Sequence, residues 1–157
     1  TNLFTFGMLD YQHDMFSGFQ FQGSATAGIG YQIFNTAANK LSVQIGAGDR
    51  EERPEDLVKN SSGEVIRRIP LGRNNGVIAT GGINYAQQLT ATTTLSDTAL
   101  LESGASDTML TDTVALAVKV SDKIALSIGL NLQDNTQPPA GLKKLDTTET
   151  VNLVYSF

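Results

Sequence analysis

The sequence predicts an all-β protein built as an antiparallel up-and-down sheet. Apolar and polar side chains alternate along several segments, tight polar turns separate these segments, and no segment has the period of an amphipathic helix. The clearest case is the stretch 114–133, "VALAVKVSDKIALSIGLNLQ", in which two alternating runs flank Ser121-Asp122-Lys123. We expect a hairpin there and eight strands in all. The predicted strands are 2–14, 19–33, 40–51, 76–90, 93–102, 108–120, 124–133 and 147–157.

The composition limits the class of protein. A chain of 157 residues suits one domain, 1–157. Charged residues make up 17%, below the roughly 25% of soluble domains, yet no run of about 18 apolar residues predicts a membrane helix. The net charge of −5 argues against a nucleic-acid partner. Because the chain has no cysteine, disulfides and thiolate metal sites are excluded, and we expect no cofactor.

The predicted connections are of two kinds. Those at 34–39, 91–92 and 121–123 are short, whereas 52–75 and 134–146 are long, polar and contain all four prolines. Long and short connections alternate along the chain, which places the long ones at one end of the sheet. Within the first long connection, "LVKNSSGEVI" predicts a hairpin that turns at Asn60–Gly63.

Three features favour a transmembrane β-barrel over a soluble β protein, which remains the alternative. The polar face of the strands is mostly small and uncharged, aromatic residues cluster near strand ends, and strands of this length suit a tilted crossing of about 9–11 residues. In such a barrel the apolar face meets lipid and the polar face lines the lumen. We therefore expect location in a bacterial outer membrane, with outer-membrane lipid and lipopolysaccharide as partners.

The polar face supplies the candidate functional residues. The residues predicted to face the lumen are Gln20, Gln22, Gln44, Arg50, Asn84, Gln88, Lys119, Asn131 and Asn152. Uncharged amides give little ion selectivity, whereas Arg50 and Lys119 would favour anions. The alternative interpretation is a hydrogen-bonded interior through which nothing flows.

Two other features receive a structural interpretation. His13 is the single histidine, and with Asp14 and Ser17 nearby it could be the base of a lipid-modifying enzyme. No oxyanion hole is recognisable, so we expect no enzyme chemistry and a histidine at the barrel rim. The acidic stretch "DREERPED" (49–56) lacks the spacing of a calcium loop, and we interpret it as the solvated base of a loop.

Three stretches resemble a known family. They are "GIGYQIFNTAANKLSVQIGAG", "LTATTTLSDTALLESG" and the last 44 residues, in which "PPAGLKKLDT" is the most specific part. They are similar to the YdiY-like family of salt-induced outer-membrane proteins, domain-of-unknown-function family 481. The resemblance implies an outer-membrane β-barrel and brings no established activity. Family members carry further strands before this segment, so the eight strands here could belong to a barrel of about twelve. The small residues on the proposed inner face also favour a wider barrel.

The last strand carries a row of alternating apolar residues. Val151, Leu153, Tyr155 and Phe157 form this row, which resembles the C-terminal signal that the outer-membrane assembly machinery recognises. Three functions follow as hypotheses. The first is a structural or stress-responsive (salt-responsive) barrel with at most a narrow passive pore. The second is a general diffusion channel for small solutes, and the third is the lipid-modifying enzyme.

Overall fold

The computed structural model describes residues 2–13, 18–138 and 143–155. Within these ranges the chain forms nine β-strands and no helix, so no helix has the length and apolar character to cross a membrane. The strands are β1 (Leu3–Gln12), β2 (Phe19–Asn35), β3 (Asn39–Lys59), β4 (Val65–Pro70), β5 (Asn74–Gln88), β6 (Thr93–Ser103), β7 (Thr108–Lys119), β8 (Ile124–Asn135) and β9 (Leu145–Tyr155).

All nine strands belong to one antiparallel sheet. The order along it is β1-β2-β3-β5-β6-β7-β8-β9, and β4 pairs with β3 outside this path. The predicted all-β antiparallel meander is therefore confirmed. The ladders do not close into a barrel, because β1 and β9 are the two edges of the sheet. Residues 36–38, 89–92 and 120–123 join strands at one end, here called the turn end, and the opposite end is called the loop end.

The first long connection is more regular than the sequence predicts. Strand β3 continues to Lys59 and returns as β4, so the sheet has nine strands and the expected count of eight is wrong. The predicted turn at Asn60–Gly63 is confirmed. The Gly63 amide donates to the Asn60 carbonyl over 3.0 Å, and Asn60 Oδ1 accepts from the amides of Ser62 and Glu64 over 3.0 and 2.9 Å. Gly63 has φ 82°, which favours glycine.

The burial of the two faces of the sheet is the reverse of that in a soluble protein, because the polar side chains are buried and the apolar ones are exposed. The most buried described side chains are mainly polar or charged: Gln22, Thr26, Ser42, Arg50, Glu52, Glu55, Thr80, Glu102 and Asp107, against three apolar ones, Phe19, Ile78 and Met109. The other face exposes large apolar side chains, including Leu9, Ile29, Ile45, Val77, Ile83, Ile128, Val151 and Leu153. We call these the polar face and the apolar face. Burial of the polar face follows from the curl of the sheet.

Side-chain contacts between distant strands demonstrate this curl. Ser24 in β2 lies close enough to the Glu102 carboxyl group in β6 to interact with it, although β3 and β5 lie between them. In a flat sheet, strands three steps apart would be separated by about 14 Å. The two side chains can meet only because the sheet bends toward its polar face.

The register adds a tilt to the curl. A row of directly opposed residues starts at Asn39, the first residue of β3, and reaches Val151, four residues before the end of β9 at Tyr155. The row thus shifts by four residues along the strands while it crosses five strand steps. At about 3.3 Å per residue and about 4.8 Å per strand, this shift corresponds to a tilt of about 30°. Strands of closed barrels tilt by about 35–45°. The sheet therefore has nearly the shear of a barrel wall.

Glycines on the polar face leave room for two aromatic rings. A Cβ at Gly28 would lie 2.8 Å from the Phe6 ring, one at Gly46 would lie 2.9 Å from it, and one at Gly30 would overlap the Phe4 ring. Both phenylalanines belong to β1, yet Phe6 reaches β3. The small residues that favoured a wide lumen in the sequence are thus covered, in part, by these rings.

Candidate functional site

The register places the candidate polar residues in relation to one another. Through their ladder partners, eight of them occupy the polar face: Gln22, Gln44, Arg50, Asn84, Gln88, Lys119, Asn131 and Asn152. Gln20 lies at the irregularity between Phe19 and Phe21, outside the regular ladder. Burial differs among the eight, since Gln22 and Arg50 are buried whereas Gln88, Lys119 and Asn152 are exposed. The two buried candidates, Gln22 and Arg50, both lie toward the loop end of the polar face.

Arg50 is the centre of this site. Its side chain is 5% exposed, and Nη2 donates to Asp107 Oδ1 in the connection between β6 and β7. Glu52, two residues along the same face of β3, places Oε2 3.9 Å from Arg50 Nε. A single guanidinium therefore holds carboxylates from two separate parts of the chain.

Two further carboxylates lie within electrostatic range. Glu102 in β6 is 7% exposed and close enough to interact with Arg50, Asp107 and Asp10 of β1. The cluster thus combines one positive group with four carboxyl groups. We call Asp10, Arg50, Glu52, Glu102 and Asp107 the acidic cluster.

The hydrogen bonding of the acidic cluster is incomplete. Arg50 Nη1, Glu52 Oε2 and Glu102 Oε1 are all buried, and none has a hydrogen-bond partner among the described residues. An unpartnered buried polar atom costs about 1–3 kcal/mol, and more when it is charged. The cluster therefore contains a spare donor and spare acceptors inside one network.

Two open cavities adjoin Arg50 at the loop end. The first, of about 380 Å³, is lined by Arg50, Glu52, Arg73, Asn74, Asn75, Gly76, Val77, Ile78 and residues 104–106. The second, of about 530 Å³, includes Asp10, Ser24 and Arg50 among its lining residues. Both cavities therefore border the acidic cluster at this end, and residues 104–106 of the β6–β7 connection form part of the wall of the first.

A second ion pair lies further toward the loop end. Arg68 Nη1 of β4 is 3.5 Å from Glu55 Oε2 of β3, and the Glu55 side chain is 8% exposed. Arg50, Glu52 and Glu55 are thus buried, and the interpretation of 49–56 as a solvated loop base is wrong for these three residues. The physical reason is that β3 continues through this stretch, which turns Arg50 and Glu52 toward the polar face and pairs Glu55 with β4.

Sequence reasoning missed several members of the site. Glu52 could have been found, because it alternates with Arg50 on one strand face. Glu102 and Asp107 carry no comparable signal, since their approach to Arg50 depends on the curl of the sheet. Phe4 and Phe6 follow the alternation of β1, but the glycines that accommodate them lie on other strands.

His13 has no catalytic partner in the described part of the chain. It is exposed, and its Nδ1 contacts the backbone carbonyl of Gln20. Asp14 and Ser17, the other members of the hypothetical enzyme site, lie outside the described residues. Within the described ranges, no group of three or more His, Cys, Asp and Glu is arranged to hold a metal ion.

The terminal strand lies at the sheet edge. Val151, Leu153 and Tyr155 are 72, 74 and 53% exposed and share the apolar face. Phe157, the fourth residue of the proposed assembly signal, lies outside the described residues.

The apolar face is not uniform. Asp97 of β6 and Asp112 of β7 occupy it on neighbouring strands, and Asp112 Oδ1 is buried without a hydrogen-bond partner among the described residues. These carboxyl groups, and Glu149 of β9 in the same ladder row as Asp97, interrupt the apolar face.

The molecule so described belongs to a class of all-β proteins whose antiparallel sheet has a buried, polar and partly charged face and an exposed apolar face. A family model described as "Protein of unknown function, DUF481" matches residues 1–157, and the chain belongs to this family. The resemblance found in the sequence is thereby confirmed. No curated protein and no solved structure matches the chain.

Proposed function

We propose that the protein is a β-barrel of the bacterial outer membrane. The observation that carries this proposal is the reversed burial, with Arg50, Glu52 and Glu102 among the most buried side chains and Ile45 66% exposed. Water would penalise so many exposed apolar groups, whereas lipid accepts them and excludes the charges. The tilt of about 30° and the curl toward the polar face also suit a barrel wall.

Closure is a necessary part of this proposal. In lipid, the unpaired backbone groups at the edges β1 and β9 would each cost several kcal/mol. The path contains eight strands, so β1 and β9 run antiparallel and are compatible with direct pairing. Further strands between these edges, as in a barrel of about twelve, would satisfy the same backbone groups.

A structural or stress-responsive role suits the interior better than open diffusion. Phe4 and Phe6 cover the glycines of the polar face toward the turn end, and the acidic cluster occupies the loop end. An eight-stranded barrel has an interior just wide enough for its side chains. A general diffusion channel is the alternative, and salt responsiveness is proposed on the resemblance alone.

Membrane insertion is tested by migration on detergent gels. The folded barrel should migrate differently from the boiled protein, and it should fractionate with the outer membrane. A sharp unfolding transition of a soluble monomer in detergent-free buffer would contradict the proposal.

Conductance separates the two functions. The purified protein in a planar lipid bilayer should give no stable open steps if the interior is filled. Regular long-lived steps would favour the diffusion channel. The enzymatic alternative, centred on His13, would be supported if the wild type turned over phospholipid and His13→Ala did not.

The proposed partners follow from location. The apolar face would contact outer-membrane lipid, and the loop end would approach lipopolysaccharide. Val151, Leu153, Tyr155 and Phe157 are proposed as the signal for the outer-membrane assembly machinery. Replacing Leu153 with Asn should reduce assembly in cells more than refolding in detergent, whereas an equal loss in both would indicate a purely structural role.

A further inference from the structure

We infer that the connection 104–107 is a strap that closes the interior at the loop end, and that the ion pair between Arg50 and Asp107 holds it closed. Release of the Arg50–Asp107 ion pair would open the acidic cluster to small cations. This inference rests on the proposed barrel, since the polar face must enclose an interior. It adds an access device that a filled structural barrel does not need.

The strap is attached to the polar face through Asp107. Asp107 is 7% exposed and accepts from Arg50, which belongs to β3, two strand steps from β6. The Gly104 amide donates to the Asp107 carbonyl over 2.9 Å, which makes the connection a compact turn. A Cβ at Gly104 would lie 3.3 Å from Ile78 Cγ2 and 3.6 Å from Arg50 Nη2, so the strap lies against the residues it covers.

Arg50 has other acceptors within the acidic cluster. Glu52 Oε2 lies 3.9 Å from Arg50 Nε and lacks a hydrogen bond, and Glu102 Oε1 is likewise buried and unpartnered. Arg50 Nη1 is the matching spare donor. Moving Arg50 from Asp107 toward Glu52 or Glu102 would therefore exchange one carboxylate for another. Such an exchange avoids leaving the guanidinium without a partner, which is the main cost of breaking a buried ion pair.

The charge of the cluster determines which solutes can enter. With the strap released, Asp10, Glu52, Glu102 and Asp107 face a single guanidinium. A surface with this excess of carboxyl groups attracts cations and repels anions. The expected class of solute is therefore a small cation. This expectation replaces the anion preference that Arg50 and Lys119 suggest from the sequence.

The absence of native cysteine permits a direct test. A cysteine at Ile78, which is 2% exposed and lines the 380 Å³ cavity, reports access to the interior. Its rate of modification is measured in detergent micelles with a cationic and an anionic methanethiosulfonate reagent of similar size. Asp107→Asn, which keeps the shape of the side chain, should raise the rate with the cationic reagent at least about tenfold and raise the rate with the anionic one less.

Matched variants distinguish loss of the Arg50–Asp107 ion pair from a general loosening of the fold. Asp122→Asn makes the same change at the exposed turn end and should leave the rate unchanged. Combining Arg50→Asp with Asp107→Arg restores an ion pair of reversed polarity and should slow modification again. Thr80 also lies on the polar face and is 7% exposed, so Thr80→Cys replaces the Ile78→Cys reporter if that variant fails to fold. A cysteine at the exposed Ser62 gives the intrinsic rate of each reagent.

Three outcomes would overturn the inference. They are an unchanged cationic rate in Asp107→Asn, equal acceleration by both reagents, and a fast rate that persists in the charge-reversed pair. Gel migration of the same samples is recorded in parallel. If the variants show normal heat-modifiable migration and Asp107→Asn does not change the modification rate, the strap is refuted and the barrel is not. If the wild type itself lacks heat-modifiable migration, the proposed barrel is refuted.

Discussion

At the scale of single residues, Arg50 is the side chain on which the loop end depends most. Arg50→Met removes the one guanidinium that faces Asp107, Glu52 and Glu102. Breaking a buried ion pair by removing one partner typically costs about 3–5 kcal/mol. We expect a loss of this size in the free energy of unfolding, measured by denaturant titration in detergent micelles.

Arg73→Met is the control for this prediction. The Arg73 side chain is 63% exposed, and its Nη1 lies 2.7 Å from Glu51 Oε1. Exposed pairs contribute about 0–1 kcal/mol, so this variant should differ little from the wild type. Equal losses in the two variants would show that the burial of Arg50 has no energetic consequence.

Two glycines give a matched pair on opposite faces. A Cβ at Gly28 would lie 2.6 Å from Gly46 Cα and closer still to the Ile45 carbonyl oxygen, whereas Gly81 has no atom within 4 Å of its Cβ position. Gly28→Ala should therefore cost about 1–3 kcal/mol through overpacking. Gly81→Ala should be neutral or stabilising by up to about 1 kcal/mol, because alanine loses less backbone entropy. Denaturant midpoints of both variants test this, and equal midpoints would contradict the close approach at Gly28.

At the scale of secondary-structure elements, the β3–β4 hairpin is energetically separate from the main sheet. Among the described strands, β4 pairs with β3 alone, and the turn depends on Gly63 at φ 82°. Gly63→Ala should destabilise the hairpin by about 1 kcal/mol. Hydrogen exchange should then accelerate in Val65–Pro70 and stay unchanged in β7 and β8. Acceleration throughout the sheet would show that the hairpin is part of the cooperative core.

The strands themselves were largely predictable, because alternation is a local property. Each of the eight expected strands is present, and the turn at Asn60–Gly63 lies where the sequence indicates. The sequence predicts the hairpin at 57–66 but ends the preceding strand at residue 51, because the charges in 49–56 are typical of a loop, whereas β3 continues without a break to Lys59. Burial of those charges depends on neighbouring strands and is therefore absent from any local pattern.

The candidate site was predictable only in part for the same reason. Arg50 lies on a polar face that the sequence identifies, but its partner Asp107 is 57 residues away in a connection. Their contact requires the curl and the stagger of the sheet, which are collective properties of eight strands. Phe6 over Gly46 is a similar case, because the ring and the glycine belong to strands that are not neighbours.

At the scale of the whole molecule, the question is which solvent meets the apolar face. Ile45 in the main sheet and Ile66 in β4 are 66 and 64% exposed, so they are equivalent by exposure alone. They differ in position, because β3 beyond Pro54 extends past its pairing with β2 and carries β4 at the loop end. In a membrane barrel, Ile45 would contact lipid and Ile66 would contact water.

Replacing each of these isoleucines with arginine distinguishes the two environments. Arginine on the lipid face of a barrel costs about 2–4 kcal/mol near the middle of the bilayer and little near its surface. We expect Ile45→Arg to lower the free energy of unfolding in lipid vesicles by that amount, because the variant is less stable. Ile66→Arg should change the free energy of unfolding by less than about 1 kcal/mol. The measurement is the folded fraction by gel migration across a urea series. If Ile45→Arg folded as well as Ile66→Arg and remained soluble without detergent, the apolar face would not be in contact with lipid, because an exposed arginine is penalised in a bilayer and accepted in water.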